Sequence, residues 1–238
     1  MNQHIISRFY LGNFCDSVTR ECPEPSLWTV DFQKGTVKRR APKNIASQAD
    51  YYSFRRSDGT LDSSIETMLS HIERKASSVI VKIQCRDYQL TEEERTYLAL
   101  FMAFFVTRVP LFRKFVEQKA SESGIAMLRT AAAHPEFFRR LVEKTTCEVS
   151  EEEIELQRQI VLDPKNYSIR CNPEYSLSLV MPLVTVIAPI IFDMQWLFLR
   201  APENARFLTA DAPVIWDDPY CADHEDIGLV LCHSLIVG

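Results

Sequence analysis

The order of segments along the chain predicts an α+β fold in a single domain over residues 1–238: an N-terminal β-hairpin, a helical middle over about residues 62–195, and a β-rich C-terminal portion. Three observations carry that expectation. Two short β-favouring runs, LWTVDF and TVKR, flank Gln33-Lys34-Gly35 near the start. From residue 62 apolar residues recur at helical spacing behind Ser/Thr-x-x-Glu boxes. After residue 195 the texture becomes WLFLRA, ARFLTA and PVIW, short runs broken by Pro202-Glu203-Asn204 and Asp211-Ala212-Pro213.

Taken in order, residues 27–32 and 36–39 read as the hairpin, and polar residues 41–61 contain a turn signal at Asp58-Gly59. Ser63-x-x-Glu66 opens a helix in which Ile65, Met68, Leu69 and Ile72 share a face. Thr91-x-x-Glu94 opens a second, strongly apolar one through Leu98, Phe101, Met102, Phe104 and Phe105. Pro110 interrupts it, because proline disfavours helix in the residue before it. Helix continues through PLFRKFVEQKA (110–120) and residues 122–133, restarts at Pro135 and again at Ser150-x-x-Glu153. Residues 177–192 carry no charge; Pro182, Pro189 and the following Asp193 and Gln195 favour a buried core helix over a membrane span or a strand pair. The final run, GLVLCHSLIV, suits a buried strand.

Composition removes several function classes. The chain has 46% hydrophobic and 25% charged residues, which is globular rather than disordered. The net charge of −5 argues against a general polyanion binder and leaves room for a local basic patch. The sequence holds no G-x-G-x-x-G, P-loop, G-x-S-x-G, H-E-x-x-H or C-x-x-C, so Rossmann, P-loop, α/β-hydrolase and zincin chemistry are not expected. Seven cysteines without short paired spacing suggest reduced thiols, and Met1-Asn2-Gln3-His4 does not open a signal peptide; a cytoplasmic protein without membrane attachment is expected.

Charges in apolar surroundings are informative, because burying one unpaired is expensive. Arg108 closes FMAFFVTRVP with Phe101, Phe104 and Phe105 along its stem, so it needs a carboxylate or a bound anion unless it snorkels at the helix end. Glu66 and Glu73 lie seven apart on one helix face, as a metal-binding or acid–base pair or as a box residue and a solvated ion pair. His4 precedes Ile5, Ile6 and Phe9 and is the best proton-transfer candidate among five histidines, or else a packed core residue. Asp211 ends a strand-like run before a proline, either as a turn starter or as a presented carboxylate. Lys38, Arg39, Arg40, Arg55 and Arg56, interleaved with Tyr51, Tyr52 and Phe54, suit single-stranded nucleic acid or simply an exposed charged hairpin edge. The acidic run 217–226 lacks calcium-loop spacing.

The opening His4-Ile5-Ile6-Ser7-Arg8-Phe9-Tyr10-Leu11-Gly12-Asn13-Phe14 resembles that of domain-of-unknown-function family 4238. Family-like elements follow in order over residues 4–237: Tyr51 or Tyr52, the helix with Glu66 and Glu73, Arg108-Val109-Pro110, and Thr209-Ala210-Asp211-Ala212-Pro213-Val214. Ile5 and Ser7 stand where the resemblance would put Tyr and Pro. The resemblance implies no established activity, but its signature positions coincide with the residues singled out on energetic grounds. His4, Arg8, Glu66, Glu73, Arg108 and Asp211 are therefore expected to converge. In the enzymatic version Glu66, Glu73 and Asp211 hold Mg or Mn, His4 acts as general base or as a ligand, and Arg8 and Arg108 bind phosphate in metal-dependent hydrolysis of nucleic acid. In the alternative the same charges form a fully paired structural network in a binding or interaction module.

Overall fold

A computed structural model describes residues 2–55, 58–62, 64–145, 149–202 and 205–214. Among them the β segments form three separate two-stranded antiparallel sheets. Strand β1 (Asn2–His4) pairs with β4 (Ser47–Ala49), β2 (Leu27–Asp31) with β3 (Thr36–Arg40), and β5 (Phe54–Arg55) with β6 (Leu61–Asp62). The β2–β3 hairpin is the one expected from LWTVDF and TVKR. Its turn is set by Asp31, whose Oδ1 accepts from the backbone N–H groups of Gln33 and Lys34, and by Gly35 at φ +59°. Between β1 and β2 lies the one-turn helix α1 (Arg8–Gly12).

The helical middle follows from its start signals. Helix α2 (Ser64–Gln84) buries Ile65, Leu69, Ile72, Ala76, Val79, Ile80 and Ile83, a stripe at three- and four-residue spacing. The Ser63 half of its expected capping box lies outside the described residues. Helix α3 (Glu92–Arg108) has its box intact: Thr91 Oγ1 accepts from the Glu94 N–H at 3.2 Å, and Glu94 Oε2 accepts from the Thr91 N–H at 2.7 Å. From Leu98 onward α3 is buried almost all round, as a helix apolar on every face must be. It packs against α2 on one side and α8 (Val180–Asp193) on the other. Helix α4 (Pro110–Ala132) starts where Pro110 can occupy a first turn without needing its missing N–H.

The chain divides into two compact units, one made of the residues before Arg113 together with those from Leu179 on, the other of Arg113–Ser178. The second unit holds most of α4, with α5 (Pro135–Thr145), α6 (Glu151–Leu162) and α7 (Pro173–Ser178). Its core gathers Ala131, Ala132, Phe138, Val142 and Ile154. Ser150 and Glu153 form the expected box at the start of α6.

The expected β-rich C-terminal portion is not what forms. Residues 174–193 are helical, with α8 burying Val180, Val184, Ile187, Ala188 and Ile191. Beyond Asp193 the described residues contain no strand. The alternation in WLFLRA is real, with Trp196 and Phe198 half-buried and Leu197 and Leu199 exposed. Its cause is contact with side chains rather than a sheet ladder: Trp196 Nε1 donates to the Ile191 carbonyl at 2.8 Å, and Phe198 stacks on Tyr88. GLVLCHSLIV and the 217–226 acidic run lie outside the described residues. By length and composition Glu174–Asp193 is long and apolar enough to cross a membrane, as some core helices of soluble proteins also are.

Candidate functional site

Three segments of the first unit meet at one cavity of about 370 Å³. The N-terminal segment brings His4, Arg8 and Phe9, α2 brings Glu66, Leu69, Ser70, Glu73, Arg74 and Ser77, and α3 brings Arg108. The α2 contribution runs at i, i+3, i+4, i+7, i+8 and i+11 from Glu66, which is one helix face. Glu66 and Glu73 thus share a surface, as their spacing indicated. The polar stripe is continuous with the apolar stripe below it through Leu69, which is buried.

Arg108 forms the floor. It is 1% exposed, closing α3 among phenylalanines, with its guanidinium carbon 4.2 Å from the Phe105 ring centroid and 5.9 Å from that of Phe101. Its Nη1 donates to Glu73 Oε1 at 2.6 Å. Its carbonyl accepts from the Tyr51 hydroxyl at 2.9 Å, so the backbone at this helix end is also held. Nε and Nη2 are buried and have no hydrogen-bond partner among the described residues. Glu73 is the carboxylate that the position of Arg108 called for; two further donors remain unmet.

His4 stands at the end of β1, opposite Ser47 of β4. The neighbouring Gln3 is buried; its side-chain carbonyl accepts from the Tyr52 N–H at 2.6 Å and its amide donates to Ser53 Oγ at 3.2 Å. The His4 ring bonds the Lys43 carbonyl through Nε2 at 3.3 Å, and the His4 carbonyl accepts from the Tyr52 hydroxyl at 3.5 Å. Burial is the main reason its pKa falls below the ordinary histidine value, with the positive charges of Arg8 and Arg108 adding to the fall and the Lys43 carbonyl and Glu73 opposing it. The Glu66 carboxyl moves the other way. Burial first, then the like charge of Glu73, push its pKa up, and Arg108 pulls it back in part. The site therefore holds an imidazole biased to the neutral form beside a carboxyl biased to the protonated form.

Five of the six residues expected to converge line this cavity. Asp211 does not: it is exposed and absent from the lining. Its segment is nevertheless tied to the N-terminal segment, because the Tyr10 hydroxyl and Thr209 Oγ1 are 2.9 Å apart. Among the described residues no group of three or more His, Cys, Asp or Glu is placed to hold a metal ion. Phe9, Ser70, Arg74 and Ser77 are lining residues that sequence reasoning did not single out. The i+4, i+8 and i+11 positions from Glu66 would have yielded Ser70, Arg74 and Ser77. Lys38, Arg39 and Arg40 are exposed on β3; Arg39 pairs with Asp16 at 2.5 Å and lies over the exposed Trp28 ring. The side chains of Arg55 and Arg56 lie outside the described residues.

Fold and site together define an α+β protein whose N-terminal segment closes an ionisable cavity over the end of a buried helix. A search of the curated proteins and a search of the solved structures each found no match. The family model for proteins of unknown function DUF4238 matches residues 2–233, and the chain belongs to that family.

Proposed function

We propose that the cavity is an acid–base site for hydrolysis of phosphate esters, with nucleic acid as the substrate class. The observation that carries this reading is the meeting of His4, Arg8, Glu66, Glu73 and Arg108, from three separated segments, on one cavity. In the proposed step neutral His4 takes a proton from water as its oxygen forms a bond to phosphorus. The phosphorus–oxygen bond to the leaving group breaks, and protonated Glu66 gives that oxygen its proton. Arg8 and Arg108 neutralise the charge that gathers on the non-bridging oxygens. Lys38, Arg39 and Arg40 on the exposed hairpin offer a polyanion contact outside the cavity.

The rival reading, a fully paired structural network, accounts for the Arg108–Glu73 pair. It does not account for two buried guanidinium nitrogens left without partners among the described residues. A divalent-metal version of the same chemistry, with Mg or Mn on Glu66 and Glu73, differs in one readout, sensitivity to chelator.

Turnover of bis(4-nitrophenyl) phosphate and of a labelled single strand tests the proposal. Glu66→Gln and His4→Asn are each expected to lower kcat by at least about 10²-fold, the usual size of a general acid–base contribution. The rate should pass through a single pH maximum, because it needs His4 neutral and Glu66 protonated, and the two groups are shifted in the directions that favour those forms. Turnover unchanged in both variants sinks the reading; turnover abolished by EDTA and restored by Mg²⁺ replaces it with the metal version.

A further inference from the structure

The β2–β3 hairpin stands apart from the cavity, and none of its residues lines it. Leu27 anchors its base in the core, and Arg39 ties β3 to Asp16. Its extensive packing is otherwise between its own two strands. The register sets Trp28 opposite Arg39 and Val30 opposite Val37, so these four share one face, while Leu27, Thr29, Lys38 and Arg40 share the other. Trp28, Val30 and Val37 are 54–60% exposed, and Phe32, in the turn, is 93% exposed. Adjoining apolar side chains left in water to that extent mark an interaction surface.

Charge indicates what the surface meets. Residues 27–40 hold four cations, Lys34, Lys38, Arg39 and Arg40, against one carboxylate, Asp31, in a chain whose net charge is −5. Arg39 is paired with Asp16, whereas Lys38 and Arg40 are exposed and outside every ion pair among the described residues. A single nucleic-acid strand would use those cations but leave most of the apolar face in water. Valine offers no π surface for a base, and Arg39 already lies over the Trp28 ring, 5.4 Å from its centroid.

An anionic bilayer uses both features. At about 3.4 Å per residue, Val30 and Val37 lie about 7 Å behind Phe32 and Trp28 about 14 Å behind it. A tip that enters by about 5–10 Å, as interfacial elements do, submerges Phe32, Val30 and Val37. Trp28 is then left at headgroup level, where indole rings are favoured. Lys38 and Arg40, level with Thr29 and Leu27, meet the anionic headgroups. The one carboxylate near the tip is already compensated: Asp31 Oδ1 accepts two turn N–H groups, and Oδ2 lies 3.8 Å from Lys34 Nζ. We infer that the β2–β3 hairpin is a membrane-docking element that sets its tip into the surface of an anionic bilayer. The docking does not depend on the chemistry of the cavity.

Co-sedimentation of the full chain with lipid vesicles tests the inference. Phosphatidylcholine vesicles with about 30% phosphatidylserine should bind the protein at least about tenfold more tightly than pure phosphatidylcholine vesicles. Phe32→Ser, an exposed change in the turn, should weaken binding to the anionic vesicles at least about fivefold. Lys38→Gln with Arg40→Gln should weaken it as well, as should added salt. Brominated acyl chains should quench tryptophan fluorescence, and Trp28→Phe should lose most of that quenching. Absence of binding to the anionic vesicles, or binding that Phe32→Ser leaves unchanged, overturns the inference. Two other results overturn it by naming a different occupant, each with vesicles left unbound. Affinity for a labelled single strand that falls in Phe32→Ser and Trp28→Phe assigns the face to nucleic acid. A dimer lost in Phe32→Ser, read by analytical ultracentrifugation, assigns it to a second copy of the chain.

Discussion

Burying the Arg108 guanidinium forfeits several kcal/mol of hydration, and Glu73 is the group that offsets it. Removing a single partner should therefore hurt more than removing both. Glu73→Gln is expected to destabilise the protein by about 2–3 kcal/mol, somewhat under the ~3–5 kcal/mol of fully buried pairs because Glu73 keeps 24% of its side chain exposed. Arg108→Met with Glu73→Gln should recover much of that loss, since methionine fits the aromatic surroundings without a charge. Urea denaturation of the two single variants and the double variant measures the coupling; strict additivity would show that the pair contributes nothing. His4 and Glu66 make opposite pH predictions. The folded His4 pKa lies below the unfolded value of 6.5, so the unfolded state takes up protons first and stability falls as pH drops below 6.5. His4→Gln should flatten that fall. The folded Glu66 pKa lies above 4.5, so its burden on stability grows as pH rises from 4.5 through the folded value. Glu66→Gln should therefore stabilise the protein at neutral pH and do nothing once pH is below 4.5, readable as melting temperature against pH.

At the scale of elements, helix ends were legible because they are written locally. Thr91 with Glu94, Ser150 with Glu153, and proline at the first turns of α4 and α5 each satisfy or remove an orphan N–H within one turn. The C-terminal stretch was misread because WLFLRA and ARFLTA contain half of what a strand needs, the alternating side chains. The partner strand, which turns alternation into a sheet, is information the segment itself does not hold. What holds this stretch instead is Arg95 of α3. Its guanidinium donates to the carbonyls of Phe192 and Met194 at the end of α8 and lies 4.2 Å from the Trp196 ring centroid. It thereby serves the last carbonyls of α8, which no intrahelical N–H can reach. Arg95→Ala should cost about 2 kcal/mol, from charge-assisted hydrogen bonds and a partly desolvated cation–π contact. Amide exchange should quicken at residues 191–198 and leave α2 protected. Uniform acceleration across both helices would mean that Arg95 supports the whole unit rather than the end of α8.

For the molecule as a whole, the candidate site was half-legible for a related reason. Glu66 and Glu73 share a helix, so period alone placed them together. Joining them to His4 and Arg108 took an energetic argument, that stranded charges must find one another across the chain. That argument has no power over Asp211, which is exposed and therefore under no pressure to pair. Where His4 and Arg8 end up depends on how the first residues are fastened, and the fastening is Gln3. It is 1% exposed and bridges the Tyr52 N–H and Ser53 Oγ, while β1 adds its ladder to β4. Gln3→Leu keeps the approximate volume but removes the side-chain bonds to the Tyr52 N–H and Ser53 Oγ, at a cost of about 1–3 kcal/mol. If the N-terminal segment acts as the wall of the cavity, that cost falls on local opening before it falls on global unfolding. Amides of residues 2–12 should then lose protection, and phosphate binding should weaken, while those of α3 exchange nearly as before. Intact binding in a Gln3→Leu variant with an unprotected N-terminal segment would show that His4 and Arg8 are dispensable to the cavity, and that α2 and Arg108 alone make the site.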